Sequence, residues 1–188
     1  MKRLTSFFLF PMLILFTCTL AFADKYSDTK KMFVEAGVGN KFESAYGYAL
    51  FPTIGKAGFV VGGAYGEGRV YKHGALIGTT TMTQATIGFQ LGGSGFSQVI
   101  FFQDERAFNE FTKGNFEFGT EVQAVALTAA VGAAASTKGS AAVASGGKNN
   151  AEIASGGYYK GMATYTITKG GLMYEASVGG QKFTFTRK

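Results

Sequence analysis

The sequence contains no tryptophan, one cysteine, one histidine and two prolines among its 188 residues. A lone cysteine, Cys18, excludes an intramolecular disulfide, and a lone histidine, His73, is too few for a histidine-rich metal site. A Ser-His-Asp triad would have to use that same histidine, which lies in a predicted hairpin turn with Lys72 and Gly74. We therefore predict a protein that is not an enzyme and that needs no cofactor and no metal.

Acidic residues are also few, since 12 Asp and Glu stand against 18 Lys and Arg and leave a net charge of +6. This mild excess is compatible with an anionic surface as partner, and we predict no nucleic-acid binding. Asp104, Glu105 and Glu110 share one predicted helix and are most simply its capped, solvated face. A paired-carboxylate catalytic site on that helix is the alternative.

Residues 1–23 have the pattern of a secretory signal peptide. Two basic residues precede an apolar stretch over residues 7–22, and an Ala-Phe-Ala cleavage site ends at Ala23. The apolar stretch is shorter than the roughly 20 residues of a spanning helix and contains Pro11. We predict cleavage after Ala23, which leaves residues 24–188 as one domain without Cys18, located in the periplasm or cell envelope.

Glycine is abundant, with 28 residues in the chain. In a strand, glycine usually marks a bulge, a bend or a close approach of two backbones. The glycines of residues 45–71 alternate with aromatic and β-branched residues, which suit a half-buried sheet. Residues 62–68 lack the G-x-G-x-x-G order of a nucleotide-binding loop, so we interpret their glycines as architectural.

The hydrophobic pattern predicts a mainly β (α+β) fold. It indicates a single compact domain of antiparallel, glycine-rich strands, barrel- or sandwich-like, with a short helix in residues 24–39 and one near 104–113. Short strands are predicted within residues 48–102, with a break near 92–95. Residues 116–128 form a further strand, and residues 129–147 are almost wholly small. Three strands follow, separated by turns at 169–171 and 179–180.

Five segments in this order are similar to a known family. They are residues 45–52, 58–68 and 92–102, the helix with Ala107, Phe108 and Phe111, and the small residues after Val122. Together they make the chain resemble bacterial members of the SYLF family over roughly residues 25–186.

The resemblance implies a non-enzymatic, mainly β module that binds anionic lipid headgroups, which are phosphoinositides in the eukaryotic relatives. Some of those relatives bind actin. Actin is not an expected partner here, because export would place the chain where there is none. The N-terminal region is also shorter than in animal members, where it helps to engage the membrane.

Five basic residues are candidates for headgroup binding. Lys30 and Lys31 lie on the first predicted helix, and Lys56 lies in a glycine-flanked loop. Arg69 and Lys72 lie near the following hairpin turn. If these side chains converge, they form a cationic patch for phosphate groups. If they do not, each is an ordinary surface charge.

The main functional hypothesis is an exported module that associates peripherally with anionic phospholipids. One alternative is a small integral outer-membrane β-barrel, which the signal peptide and the alternating aromatic pattern suggest. The predicted helix near 104–113 and the small residues 129–147 argue against it. Another alternative is an envelope structural or stress protein that binds a protein partner through a sheet edge. The sequence does not indicate an oligomeric state.

Overall fold

A computed structural model describes residues 24–118, 124–127 and 157–188. The signal peptide with Cys18 and the small residues 129–147 lie outside the described residues. Strands dominate, as the sequence predicts. In chain order the elements are α1 (Lys25–Phe33), a π-helical turn (Val34–Val38), α2 (Gly39–Ser44), β1 (Gly47–Lys72), β2 (Ala75–Phe102), α3 (Glu105–Phe111), β3 (Asn115–Phe118), β4 (Val125–Leu127) and β5 (Met162–Arg187).

The strands form one sheet in the order β1-β2-β5-β3. All neighbours on this path are antiparallel, which confirms the prediction. The short β4 lies off the path and pairs in parallel with β5, where Val125 is opposite Tyr165. The predicted strand at 116–128 corresponds to β3 and β4, and its residues 119–123 and 128 lie outside the described part.

β1, β2 and β5 are far longer than the predicted strands, with 26, 28 and 26 residues. The predicted break at 92–95 and the turns at 169–171 and 179–180 are wrong. The pairing of β2 with β5 continues through them, with Gly95 opposite Gly170 and Thr86 opposite Gly179. Glycine lets the strands bend here without ending them.

The turn between β1 and β2 is the predicted hairpin. His73 and Gly74 both have positive φ, at 47° and 82°, and Lys72 pairs with Ala75. Two consecutive positive φ values are the signature of a two-residue type I′ turn, whose twist matches that of the flanking strands. Glycine at the second position adopts such a φ without a steric penalty.

β1 folds back so that its second half covers its first half. A Cβ atom at Gly66 would lie 2.5 Å from Cγ1 of Ile54, and one at Gly68 would lie 2.7 Å from the Phe51 ring. β2 and β5 follow β1 in register, so all three strands bend together. We call residues 56–63 of β1, 86–93 of β2 and 171–179 of β5 the bend.

Two hydrophobic cores lie on opposite faces of the first half of the sheet. Alternate β1 residues point to opposite faces, so Phe51 joins the first core and Leu50 the second. The first core fills the space between the two halves, where the rings of Phe51 and Phe183 are 5.7 Å apart. The second core lies under α1 and α2 and contains Phe33.

The two predicted helices are confirmed, with shifted ends. Asp104 caps α3 by accepting a hydrogen bond from the Ala107 amide at 2.8 Å, and the helix ends at Phe111. Its buried face packs into the first core. The N-terminal helical region extends past the predicted end. It is kinked at Gly37, where φ is 97°, and it continues beyond the kink as α2.

The close contact between the two halves of β1 predicts that Gly68→Ala destabilises the protein. A Cβ at this position would lie 2.9 Å from the Leu50 carbonyl oxygen, which belongs to the backbone and cannot move away alone. We expect a loss of about 1 to 3 kcal/mol in the free energy of unfolding, measured by urea denaturation.

Gly55→Ala is the matched control, because a Cβ there would have no neighbour within 4 Å. We expect this variant to unfold near the wild-type midpoint. Equal stability of the two variants would contradict the packing of β1 onto itself.

Candidate functional site

Arg69 and Lys30 contact one group of aromatic rings at the helix-covered end of β1. The Arg69 guanidinium lies 4.0 Å from the centre of the Tyr26 ring, and its Nη1 donates to Oδ2 of Asp24 at 2.8 Å. Lys30 Nζ is 5.8 Å from the Tyr48 ring. These contacts are cation–π interactions and one ion pair, and they attach α1 to the sheet.

Lys72 and Lys31 face carboxylates. Lys72 Nζ is 4.0 Å from Oε1 of Glu105, which connects β1 to α3, and it lies 4.9 Å from the Tyr46 ring. Lys31 Nζ is 3.8 Å from Oε1 of Glu35 one turn along the helix. Both pairs are solvent-exposed and contribute little to stability. For these two residues, as for Lys30 and Arg69, a part in lipid binding stays a prediction.

Lys56 lies apart from the other four residues, at the start of the bend. Eight residues of strand separate it from Tyr48, which is roughly 26 Å of extended chain. The structure therefore brings Lys30 and Arg69 to one aromatic group but does not gather all five residues into one patch. Lys56 lies beside a cavity.

This cavity is an open groove of about 500 Å³ beside the bend. Its size falls in the range of ligand-binding pockets. Lys56 supplies an ammonium group, and Ser94 and Tyr65 supply hydroxyl groups, while the remaining lining residues are glycine and alanine. The groove is lined by Gly55, Lys56, Ala57, Gly63, Ala64, Tyr65, Gly93 and Ser94. No acidic side chain lines it.

The strands around the groove carry positive but almost no negative charge. Residues 52–66, 79–103 and 157–174 contain no Asp or Glu. Lys169 lies beside the bend, where its Nζ donates to Oγ1 of Thr53 at 3.3 Å. Glu67 is the described carboxylate nearest in sequence, and it accepts a hydrogen bond from the Tyr65 hydroxyl at 3.1 Å, which raises the pKa of Tyr65.

Sequence analysis did not select Lys169 or Ser94. Ser94 is opposite Lys56 in the register of β1 and β2. Lys169 of β5 contacts Thr53 of β1, and these two residues are 116 positions apart in the sequence. Only the strand pairing brings these residues together. Lys41 was also missed. It lies 3.9 Å from the Tyr158 ring, and burial lowers its pKa.

Two properties of the described residues bear on their chemistry. No helix among them is long and apolar enough to cross a membrane. Within the same part of the chain, no three His, Cys, Asp or Glu side chains are grouped so that they would hold a metal ion.

The profile of the Ysc84 family, described as "Las17-binding protein actin regulator", matches residues 83–188. This match covers more than half of the chain. The chain belongs to the Ysc84 (SYLF) family. The matched region of this SYLF protein includes most of β2 together with α3, β3, β4 and β5. No curated protein and no solved structure matches the chain.

The family is one of binding modules related to lipid and actin, so the SYLF match supports binding in preference to catalysis. The N-terminal segments that resemble the family, residues 45–52 and 58–68, lie before the matched region. They form β1, which pairs with the matched strand β2 over most of its length. The two parts of the chain therefore share one sheet.

Because Tyr48 is buried in the aromatic group near Arg69, we predict that the protein loses stability at high pH. Burial raises the pKa of Tyr48 to about 12 from an ordinary value of 10.0, so the folded protein favours the neutral phenol. In the unfolded chain Tyr48 ionises near pH 10. The stabilisation that its burial provides is therefore fully present below pH 10 and is lost as the pH rises toward 12. We expect Tyr48 to account for up to about 2 kcal/mol of this fall.

Urea denaturation across this pH range, compared between wild type and Tyr48→Phe, measures the contribution. The variant should lose less stability than the wild type. It should keep part of the effect, because burial also raises the pKa of Tyr165 to about 12. An identical pH dependence in the two proteins would show that Tyr48 ionises freely in the folded state.

Proposed function

We propose that this SYLF protein is an exported, non-enzymatic module that binds the anionic headgroups of phospholipids at a membrane surface. The single observation that carries the proposal is the groove at the bend, which combines Lys56 with two hydroxyl groups and has no carboxylate in its wall. The family match supports lipid binding in general, and the predicted signal peptide supports export.

The groove offers the groups that phosphates bind. An ammonium group attracts the phosphate charge and donates hydrogen bonds, and the Ser94 hydroxyl adds a neutral donor, whereas the Tyr65 hydroxyl donates its proton to Glu67. Glycine in the wall lets a ligand approach the backbone closely. A phosphate diester of a phospholipid, or a phosphorylated inositol headgroup, fits this chemistry.

The charge around the groove favours a surface over a free ion. Lys169 adds a second cation at the bend, and each lysine close to an anionic bilayer contributes about 1 kcal/mol of attraction. Actin is not part of the proposal, because the predicted export separates the chain from it.

The test measures co-sedimentation of the mature protein with vesicles of phosphatidylcholine alone or mixed with an anionic phospholipid. We expect binding to the anionic vesicles that weakens as salt is added, because salt screens the attraction. Lys56→Gln should lower the partition coefficient by about fivefold.

Lys113→Gln is the matched control, since Lys113 is an exposed lysine that follows α3 and lies outside the groove. It should bind more tightly than Lys56→Gln and close to the wild type. Equal binding to neutral and anionic vesicles at low salt would contradict the proposal. Protein that leaves the membrane fraction only with detergent would favour the integral alternative.

A further inference from the structure

The bend presents large apolar side chains to solvent. Phe59 is 67% exposed, Val60 52%, Val61 66% and Ile87 73%. Val61 and Ile87 are direct partners across β1 and β2, so their side chains are neighbours on one surface. A contiguous group of large, exposed apolar residues marks an interaction surface.

The backbone at this surface is held in an unfavourable conformation. Val60 has a φ of 63°, in the left-handed region that β-branched residues rarely adopt. The register between β1 and β2 also shifts at this point, since Phe59 pairs with Leu91 and Val61 pairs with Ile87. Strain of this kind costs about 1 to 3 kcal/mol and occurs more often at functional sites.

Two lysines and one acidic residue lie near the apolar group. Lys56 lies three residues before Phe59, and Lys169 contacts Thr53 beside the bend. The acidic residue is Glu175, whose backbone in β5 pairs with Gln90 of β2. Two lysines next to an exposed apolar group match a surface that has a nonpolar interior and a negative outer layer.

From these observations we infer that Phe59, Val60, Val61 and Ile87 insert into the interfacial layer of an anionic bilayer while the adjacent groove holds a headgroup. The inference rests on the proposed function and names the part of the molecule that enters the lipid. In peripheral membrane binding, apolar insertion and electrostatic attraction both contribute to the affinity.

The bilayer fits this surface better than two other occupants. A second copy of the chain would bring Lys56 and Lys169 against the same two lysines, and like charges repel. Residues 128–156 of the chain contain no aromatic side chain, and their Lys138 and Lys148 outnumber Glu152, so the segment is net positive. That segment offers neither the bulk nor the charge that would complement the bend.

The absence of tryptophan from the chain makes a direct test possible. Phe59→Trp places a single fluorophore in the bend, and vesicles of anionic phospholipid with brominated acyl chains quench tryptophan that enters the bilayer. Thr79→Trp is the matched control, because Thr79 is exposed and pairs with Arg69, away from the bend. We expect quenching and a blue shift for Phe59→Trp alone.

The outcomes separate the two proposals. Co-sedimentation without quenching of Phe59→Trp overturns the insertion and leaves headgroup binding intact. Failure of both proteins to bind anionic vesicles overturns the proposed function. A blue-shifted emission of Phe59→Trp in the absence of vesicles shows that the bend is already covered by the chain or by a second copy, and this also overturns the insertion.

Phe59→Ser provides a second measurement that does not depend on a new fluorophore. It should lower the partition coefficient for anionic vesicles by about tenfold, because the lost ring no longer leaves water on binding. This loss should persist at high salt, whereas the effect of Lys56→Gln should shrink. Unchanged binding of Phe59→Ser, with a wild-type circular dichroism spectrum, contradicts the inference.

Discussion

The close contact between the two halves of β1 is the constraint on which the rest of the structure depends. Gly66 and Gly68 let the backbone of the second half approach Ile54 and Phe51 at distances that a Cβ would prevent. Because β2 is paired with β1 and β5 is paired with β2, the same folding of the strands brings Phe183 against Phe51 and creates the first core. Three very long strands thereby bury both faces of the first half of the sheet without any disulfide.

The fold-over also creates the surface that we assign to function. Strands that bend must expose their outer side at the bend, where Phe59 and Ile87 find no covering element among the described residues. Beside the same bend, residues from both halves of β1 line the groove with Lys56. At the other end of β1, Arg69 contacts Asp24 and Lys72 contacts Glu105. The proposed binding surface and these two ion pairs therefore lie at different parts of β1.

Much of the fold follows from local sequence signals. The capping Asp104, the apolar spacing of α3 and the turn at His73 and Gly74 act within a few residues, so the sequence predicts them correctly. The sequence predicts breaks and turns at the glycine pairs of β2 and β5, and this prediction is wrong. A bend within a strand and a turn between strands have the same composition, and only the pairing of the strands distinguishes them. Lys56 could be selected as a basic residue flanked by glycines, whereas Lys169 could not. Its place beside the bend depends on a strand that pairs across more than a hundred residues.

The central claim is that the long strands fold back on themselves, and nuclear Overhauser contacts in the isotopically labelled mature protein test it most directly. The account predicts contacts from the Hα protons of Gly68 to the ring of Phe51, and from those of Gly66 to the side chain of Ile54. Contacts of Gly68 and Gly66 that are confined to their register partners Thr80 and Met82 would show straight strands and contradict the account.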